Sequence, residues 1–179
     1  MERPGGEIQD FDAVVSLYWP RLLRFVMASV RDQDTAETLV QDCFLRAYRA
    51  RARFRGDASL QTWLMQIAVN LVRDHARSRR LQFWRRAGIS AVNLSAASER
   101  IADGRPSPEA RTLVREQVEA IWNATARLPE RQRTVFLLRF VEDMQLLEIA
   151  AVTGMKEGTV KVHLFRALQA VRKRMESRT

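Results

Sequence analysis

The fold is decided by the stretch LEIAAVTGMKEGTVKVHL, which occupies residues 147–164 of the 179-residue chain. Apolar residues recur at helical spacing on both sides of Gly154, and glycine readily adopts the left-handed backbone of a tight turn. Ala150 is small enough for two helices to cross closely, with Ile149 and Val160 in their shared core. This spacing predicts a helix-turn-helix, a motif whose second helix enters the major groove of DNA.

The second helix of this motif carries side chains suited to that groove. They are Lys161, His163, Phe165 and Arg166 in its first turns, followed by Arg172, Lys173 and Arg174 where phosphates would lie. The alternative interpretation is an ordinary helical hairpin with a solvated basic face. The spacing of Ala150 and Gly154 and the placement of charge favour the DNA-binding motif.

Towards the N-terminus the hydrophobic pattern is also helical, and strand signals are absent. A first helix is predicted over residues 11–30, with a kink or restart at Pro20. A second runs from a cap at residues 34–37 to about Arg53, and a third begins at a Ser59 cap.

The segment of residues 88–108 has no sustained period, and its Ser, Ala, Asn, Gly and Pro content is typical of a linker. A helix capped by Ser107 follows, with the apolar stripe Leu113, Val118, Ile121 and Trp122. Another helix begins at Leu128-Pro129, ahead of the two in the opening motif. The prediction is an all-α fold with two small helical domains, residues 1–86 and 109–179, joined by a flexible linker, residues 87–108.

Charge is distributed unevenly along this predicted architecture. The net charge is +9, and only three of the 30 basic residues are lysines. It divides into −4 over residues 1–45, +9 over 46–86, zero over 87–108 and +4 over 109–179. Arginine forms bidentate contacts with phosphates and bases, so the pattern points to nucleic acid. A GC-rich genome is the alternative source of arginine, but it does not explain where the charge lies.

Several other classes of protein are disfavoured. No run of about 18 apolar residues predicts a membrane span, and the N-terminus lacks the apolar core of a secretory signal. Cys43 is the single cysteine, which fits a reducing cytoplasm, and with only His75 and His163 the chain predicts no zinc site and no cofactor.

The third helix combines aromatic and basic groups behind a glycine-containing loop, residues 54–59. Trp63 and Asn70 lie on this helix, and Arg73, Arg77, Arg79 and Arg80 follow them. Stacking surfaces together with phosphate-binding cations are typical of single-strand binding. The alternatives are a core role for Trp63, a solvated position for Asn70 and a merely solvated basic face for the arginines.

Three motifs, which follow one another in family order along the chain, resemble those of one family. FRGDASLQTWLMQIAVN (residues 54–70) resembles regions 2.3 and 2.4 of bacterial extracytoplasmic-function sigma factors of the sigma-70 family. DTAETLVQDCFLRAYR (34–49) resembles their region 2.2, and LPERQR (128–133) with the helix-turn-helix resembles region 4. The resemblance implies a promoter-specificity subunit of RNA polymerase that is not an enzyme.

The resemblance also assigns residues to roles. It implies docking on the clamp helices of the largest polymerase subunit through Glu37, Gln41 and Asp42. It implies minus-ten DNA binding, with an everted base of the melted non-template strand, by Phe54, Gly56, Asp57, Ser59, Trp63, Ile67, Asn70, Arg73, Arg77, Arg79 and Arg80. It implies minus-thirty-five duplex binding by Thr159, Lys161, Val162, His163, Phe165 and Arg166.

Further implied partners are core RNA polymerase, including the flap of its second-largest subunit, and an anti-sigma factor. The chain would act in the cytoplasm, as a monomer when free, without membrane insertion. Val162 and His163 depart from the family, which commonly has a small polar residue and an arginine there. Valine offers only apolar contacts, and neutral histidine is a weaker phosphate partner than arginine.

Two other classes stay open on the residues alone. A helix-turn-helix repressor would usually dimerise on a palindrome, but no dimerisation heptad is evident. A nucleic-acid-processing enzyme would need a carboxylate cluster or metal ligands, and residues 46–86 offer only Asp57 and Asp74.

Overall fold

The computed structural model describes residues 10–87 and 118–176, and every regular element within those ranges is helical. The predicted all-α fold is therefore confirmed. Apart from its first residue, the predicted linker lies outside the described residues, as does the helix start predicted at Ser107.

The first lobe, residues 10–87, contains α1 (Phe11–Val30), α2 (Gln33–Ala50) and α3 (Leu60–Ala87), with a 3-10 turn at Arg51–Arg53. These three helices pack on one another around the buried side chains Leu22, Phe25, Val40, Phe44, Leu64 and Ala68. Cys43 lies within this core, and its thiol is 3.5 Å from the carbonyl oxygen of Leu64. The arrangement follows the predicted apolar stripes, because each helix turns its stripe inward.

The helix starts show which polar residues act as caps. The Ser59 hydroxyl accepts a hydrogen bond from the Thr62 amide at 3.1 Å, which confirms the predicted cap of α3. The predicted cap of α2 at residues 34–37 is wrong, because the carboxylate of Asp32 accepts from the Thr35 amide at 2.9 Å instead. Asp32 occupies an extended backbone conformation, as an N-cap residue must.

Helix α1 continues through Pro20, so of the predicted kink or restart the restart does not occur. With 20 residues and a mean hydropathy of 1.2, α1 is long and apolar enough to span a membrane by length and composition. It also carries Arg21 and Arg24, and it packs on α2, α3 and a helix of the second lobe. These contacts show that α1 packs against other helices of this protein.

The second lobe, residues 118–176, contains helical residues 118–126 (α4), then α5 (Glu130–Phe140), α6 (Leu146–Thr153) and α7 (Glu157–Glu176). Gly154 has a φ of 68°, so the turn between α6 and α7 has the left-handed conformation predicted for it. The core of this lobe contains Val135, Leu138, Ile149, Val160 and Ala167. The predicted helix-turn-helix is confirmed.

The stripe predicted for α4 is wrong where the structure describes it. Val118, Ile121 and Trp122 are exposed, whereas Ala120, Ala124 and Leu128 are buried. Two alanines four residues apart make a narrow face that packs closely on its neighbours, so burial follows the small residues rather than the large ones.

The two lobes also pack against each other. Helix α1 contacts α5, and α3 contacts α6. The buried residues of both lobes belong to one continuous hydrophobic cluster. The sequence patterns predicted the two lobes but not this contact between them.

Candidate nucleic-acid interface

The loop before α3 and one face of that helix carry the residues predicted to bind a melted base. Phe54 and Trp63 have ring centroids 5.1 Å apart and are tilted by 41°, which makes a half-buried aromatic wall. Gly56 has a φ of 76°, a conformation that turns the loop and that glycine adopts without strain. We call the predicted residues of this face the strand surface: Phe54, Gly56, Asp57, Ser59, Trp63, Ile67 and Asn70.

The helical part of the strand surface follows the spacing i, i+4, i+7. Trp63, Ile67 and Asn70 are all half-buried, which places them at the edge of the core rather than inside it. Arg73 donates a hydrogen bond to the Asn70 side-chain oxygen at 2.8 Å, so the Asn70 amide is held in one orientation. The amide nitrogen of Asn70 is thereby left to serve as a donor.

The four arginines predicted to hold the DNA backbone are not on one face. Arg73, Arg77 and Arg80 line a cavity of about 490 Å³ between the lobes, together with Arg131 of α5. Arg79 lies on another side of α3, where its charge acts on Asp32 and His75. The structure therefore brings three of these arginines together and separates the fourth.

Helix α7 presents the predicted minus-thirty-five residues to solvent, with one exception. We call the exposed set the duplex surface: Thr159, Lys161, Val162, Phe165 and Arg166. Val162 and Phe165 are 47% and 61% exposed, so both apolar side chains project towards solvent. Lys161 forms an ion pair with Glu157 at 2.6 Å, one helical turn away.

His163 is the exception, since it is half-buried. Its Nδ1 atom is buried and finds no hydrogen-bond partner among the described residues. Burial, with the positive charges of Arg131 on α5 and Arg166 on α7, lowers the pKa of His163 below its ordinary value. The neutral form of His163 is therefore favoured, and the ring lies near two guanidinium groups that can hold a phosphate.

The residues predicted to meet polymerase lie on α2. Gln41 is exposed, while Glu37 and Asp42 are half-buried; Glu37 accepts from Gln33 at 3.0 Å, and Asp42 pairs with Arg46 at 3.0 Å. Leu45 and Tyr48 extend the same face at i+4 and i+7 from Gln41, and both are nearly half exposed. We call Glu37, Gln41, Asp42, Leu45 and Tyr48 the docking surface.

Sequence reasoning missed Leu45 and Tyr48 as members of the docking surface. Their spacing from Gln41 was the available signal, but periodicity alone gives no measure of exposure. Within residues 10–87 and 118–176, no group of three or more His, Cys, Asp or Glu side chains is placed to hold a metal ion.

Comparison with known families gives two matches in chain order. Residues 14–82 match the model of Sigma-70 region 2, and residues 118–171 match that of Sigma-70, region 4. The first contains the strand and docking surfaces, and the second contains the duplex surface.

Curated relatives match nearly the whole chain. The RNA polymerase sigma-H factor of Pseudomonas aeruginosa is 34% identical, over 96% of this chain and 89% of that protein. The ECF RNA polymerase sigma-E factor of Escherichia coli K12 is 32% identical, over 93% of this chain and 86% of that protein.

Among solved structures, the sigma factor RpoE of Bartonella quintana, in complex with the anti-sigma factor NepR, has the same fold. The TM-score is 0.77 at 23% identity, over 94% of this chain and 98% of that one. Both lobes are therefore included in the likeness.

Proposed function

The chain belongs to the extracytoplasmic-function sigma factors of the sigma-70 family and is an RNA polymerase sigma factor, and from this premise we propose how its surfaces divide promoter recognition. Residues 1–86 form the domain for core polymerase and the minus-ten element, residues 87–108 the linker, and residues 109–179 the domain for the minus-thirty-five element. The chain contributes binding energy to transcription initiation and does not itself make or break covalent bonds.

The strand surface holds a base that has left the DNA stack. The tilted Phe54 and Trp63 rings offer an aromatic wall, and Asn70, oriented by Arg73, offers an amide donor. Extruding a base costs a few kcal/mol, so a surface that binds only the extruded base favours melted over closed DNA. Aromatic stacking contributes about 1–3 kcal/mol per base, which is of the size required.

The arginines supply the electrostatic part of this binding. Arg73, Arg77 and Arg80 lie on the side of α3 that faces the cavity, beside the strand surface. They track the phosphates of the non-template strand, whereas Arg79 on the other side meets a different part of the backbone. Each phosphate contact releases counterions, so this binding weakens as salt rises.

The duplex surface reads the minus-thirty-five element. Arg166 and Lys161 supply donors for base edges or phosphates, while Val162 and Phe165 supply apolar contacts suited to thymine methyl groups. His163 lies beside this surface and interacts with a phosphate held by Arg131 and Arg166. Thr159 lies at the start of α7. The upstream specificity of this chain is therefore partly apolar.

The docking surface meets the clamp helices of the largest polymerase subunit, and the second lobe meets the flap of the second-largest. The amide and carboxylates of Gln41, Glu37 and Asp42 supply polar contacts, and Leu45 and Tyr48 supply apolar area. The free chain acts as a monomer in the cytoplasm, where polymerase works. By analogy with the solved complex of RpoE with NepR, an anti-sigma factor holds it inactive until a stress or envelope signal arrives.

The observation that carries this proposal is the presence of both nucleic-acid surfaces on one chain, in family order. The test is run-off transcription with purified core polymerase and a genomic library. Core supplemented with this chain should initiate at promoters that core alone ignores. Absence of any new transcript, with a known sigma factor active in parallel, would overturn the proposal.

A further inference from the structure

The cavity between the lobes has positive charge on both of its walls. Arg73, Arg77 and Arg80 of α3 line one wall, and Arg131 of α5 lines the other. Among the described residues that line it, Glu130 is the single carboxylate, so four guanidinium groups against one carboxylate give a net charge of +3. All four arginines are exposed, so an ion can reach them from solvent.

These guanidinium groups are not neutralised by the protein. Within the part of the chain that the structure describes, no carboxylate lies at ion-pair distance from Arg77, Arg80 or Arg131. Arg73 donates to a neutral acceptor, the side-chain oxygen of Asn70, at 2.8 Å. Like charges at the spacing i, i+4, i+7 on one helix repel each other. An anion bound between them would remove this repulsion.

The dimensions of the cavity decide which kind of anion fits. Its volume of about 490 Å³ lies within the range typical of small-molecule sites. This volume corresponds to a cube about 8 Å on a side, narrower than the major groove of a DNA duplex at about 12 Å, so a duplex does not fit inside it. From Arg73 to Arg80 the row of arginines extends about 10 Å along the helix axis, at ~1.5 Å per residue. A row of this length suits several linked phosphates rather than a single one.

A contact between the lobes holds the two walls in place. The Glu142 side chain is 0% exposed; its Oε2 accepts from Arg21 Nε at 3.2 Å, and its Oε1 accepts from Arg24 Nε at 3.3 Å. Both arginines belong to α1 of the first lobe, whereas Glu142 follows α5 of the second. A buried carboxylate is unfavourable unless it is paired, so this contact fixes α5, and with it Arg131, relative to the first lobe. A site that is already formed loses less free energy on binding its ligand.

Part of the remaining lining is apolar. Val69 and Ala76 of α3 contribute to it from the first lobe, and Met155 of the α6–α7 turn contributes from the second. Methionine is flexible and adapts its shape to the group that it contacts. An organic group attached to the phosphates, such as the sugar and base of a nucleotide, would therefore find an apolar surface beside the arginines.

We propose that this cavity binds an oligophosphate, a chain of three or more linked phosphates that is either inorganic or attached to a nucleoside. The arginines of α3 hold the chain along one wall, and Arg131 contacts it from the other. Arg73, Arg77 and Arg80 are also the proposed backbone contacts of the non-template strand, so the oligophosphate and the strand exclude each other. This consequence rests on the proposed function, whereas oligophosphate binding by the free chain does not.

Binding is measured by isothermal titration calorimetry on the free full-length chain, in magnesium-free buffer at about 150 mM salt, where distant surface charges are screened. Sodium tripolyphosphate should bind with one ligand per chain. Orthophosphate engages only part of the row and should bind at least about tenfold more weakly. GTP distinguishes the two sources of the ligand. Binding as tight as that of tripolyphosphate supports a nucleotide, and weaker binding supports the inorganic chain.

Matched arginine variants distinguish a defined site from diffuse attraction to a basic helix. Arg77→Gln and Arg131→Gln remove one charge from different walls, and each should weaken tripolyphosphate binding about tenfold. Arg79→Gln removes the same charge from α3 outside the cavity, where Arg79 acts on Asp32 and His75. It should change the affinity by less than about twofold. Unchanged helical circular dichroism shows that each variant remains folded.

Chemical modification locates the ligand without any substitution. Phenylglyoxal reacts with exposed arginines, and peptide mass spectrometry reports the reaction at each position. Saturating tripolyphosphate should protect Arg73, Arg77, Arg80 and Arg131 and should leave Arg79 reactive.

Several results would overturn the proposal. They are an equal loss of affinity in all three variants, protection confined to α3, orthophosphate binding as tight as that of tripolyphosphate, or no binding of either tripolyphosphate or GTP. Because these measurements contain neither polymerase nor DNA, their failure leaves the proposed function standing. The absence of new transcripts in the run-off assay would in turn leave the oligophosphate site standing.

Discussion

The strand surface and the duplex surface differ in how they expose their apolar groups. On the strand surface the rings of Phe54 and Trp63 are half-buried and lean on each other. On the duplex surface Val162 and Phe165 stand out from α7 with no such support. A half-buried aromatic wall is suited to stacking on an extruded base, whereas exposed side chains on a helix are suited to entering a groove. This difference suits the two physical states of DNA, melted strand and duplex, that we propose the lobes bind.

The largest effect is expected from a substitution that disables the strand surface alone. Asn70→Ala removes the oriented amide, and a hydrogen bond to an extruded base is worth about 2 kcal/mol, or roughly 30-fold. The equilibrium for promoter opening, measured by permanganate reactivity of unpaired thymines, should fall by about that factor. Gln66→Ala, at an exposed position one turn earlier, is the control. An equal loss in closed complexes would mean that Asn70 also contacts the duplex.

The next effect should fall on the duplex surface. Arg166→Ala removes an exposed guanidinium, and loss of one such contact costs about 1.5 kcal/mol, or roughly tenfold. Binding of the holoenzyme to duplex carrying the upstream element should weaken by this factor, while opening of the bound complex should not change. Gln169→Ala on the same helix is the control. A defect in opening equal to the defect in binding would remove the distinction between the lobes.

The pH dependence of duplex binding tests the role of His163. Its pKa in the free chain lies below the ordinary value because of burial and of Arg131 and Arg166. A phosphate held by those arginines raises this pKa, so bound His163 takes up a proton that free His163 does not. Affinity for the upstream duplex should therefore rise as pH falls from 8 to 6, by about fivefold.

The control for that measurement is His163→Gln, which keeps a polar side chain but cannot titrate. In this variant the part of the pH dependence due to His163 should disappear. His75 also has a lowered pKa, but it lies on α3 beside Asp32 and Arg79, far in sequence from the duplex surface. If the parent and His163→Gln have the same pH profile, His163 contacts no phosphate.

The smallest effect concerns the apolar part of the duplex surface. If Val162 covers a thymine methyl group, replacing that thymine by uracil removes one buried methyl, worth about 0.8 kcal/mol or roughly threefold. Val162→Ser should bind both DNAs alike. A penalty for uracil that persists in Val162→Ser would assign the methyl contact to Phe165 instead.

Local features of the fold were predictable because their causes are local. Gly154 adopts the left-handed conformation of the turn, and Ser59 caps α3 through a hydrogen bond from the Thr62 amide, three residues away. The cap of α2 was predicted wrongly, since Asp32 and Asp34 are equally good acceptors by type and only backbone geometry selects Asp32. Exposure of Ile121 and Trp122 was missed because periodicity locates an apolar face without saying whether anything covers it.

The contact between the lobes had no signal in the sequence. Glu142 lies 121 and 118 residues from Arg21 and Arg24, and a carboxylate in a loop is ordinarily exposed. Likewise, the spacing of the four arginines did not show that Arg79 lies on a different side of α3 from the cavity. The candidate residues were predicted by type and spacing, but their grouping depends on packing. Their roles stay predictions until the variants are measured.

The buried thiol of Cys43 bears on how signals reach this protein. Burial raises its pKa to about 12, so at neutral pH only about one molecule in 10⁵ carries the thiolate that reacts with oxidants. Peroxide and disulfide stress therefore meet a cysteine thiol that is slow to react. A cell that uses this protein against oxidative damage would therefore have to sense the oxidant through a group other than this thiol.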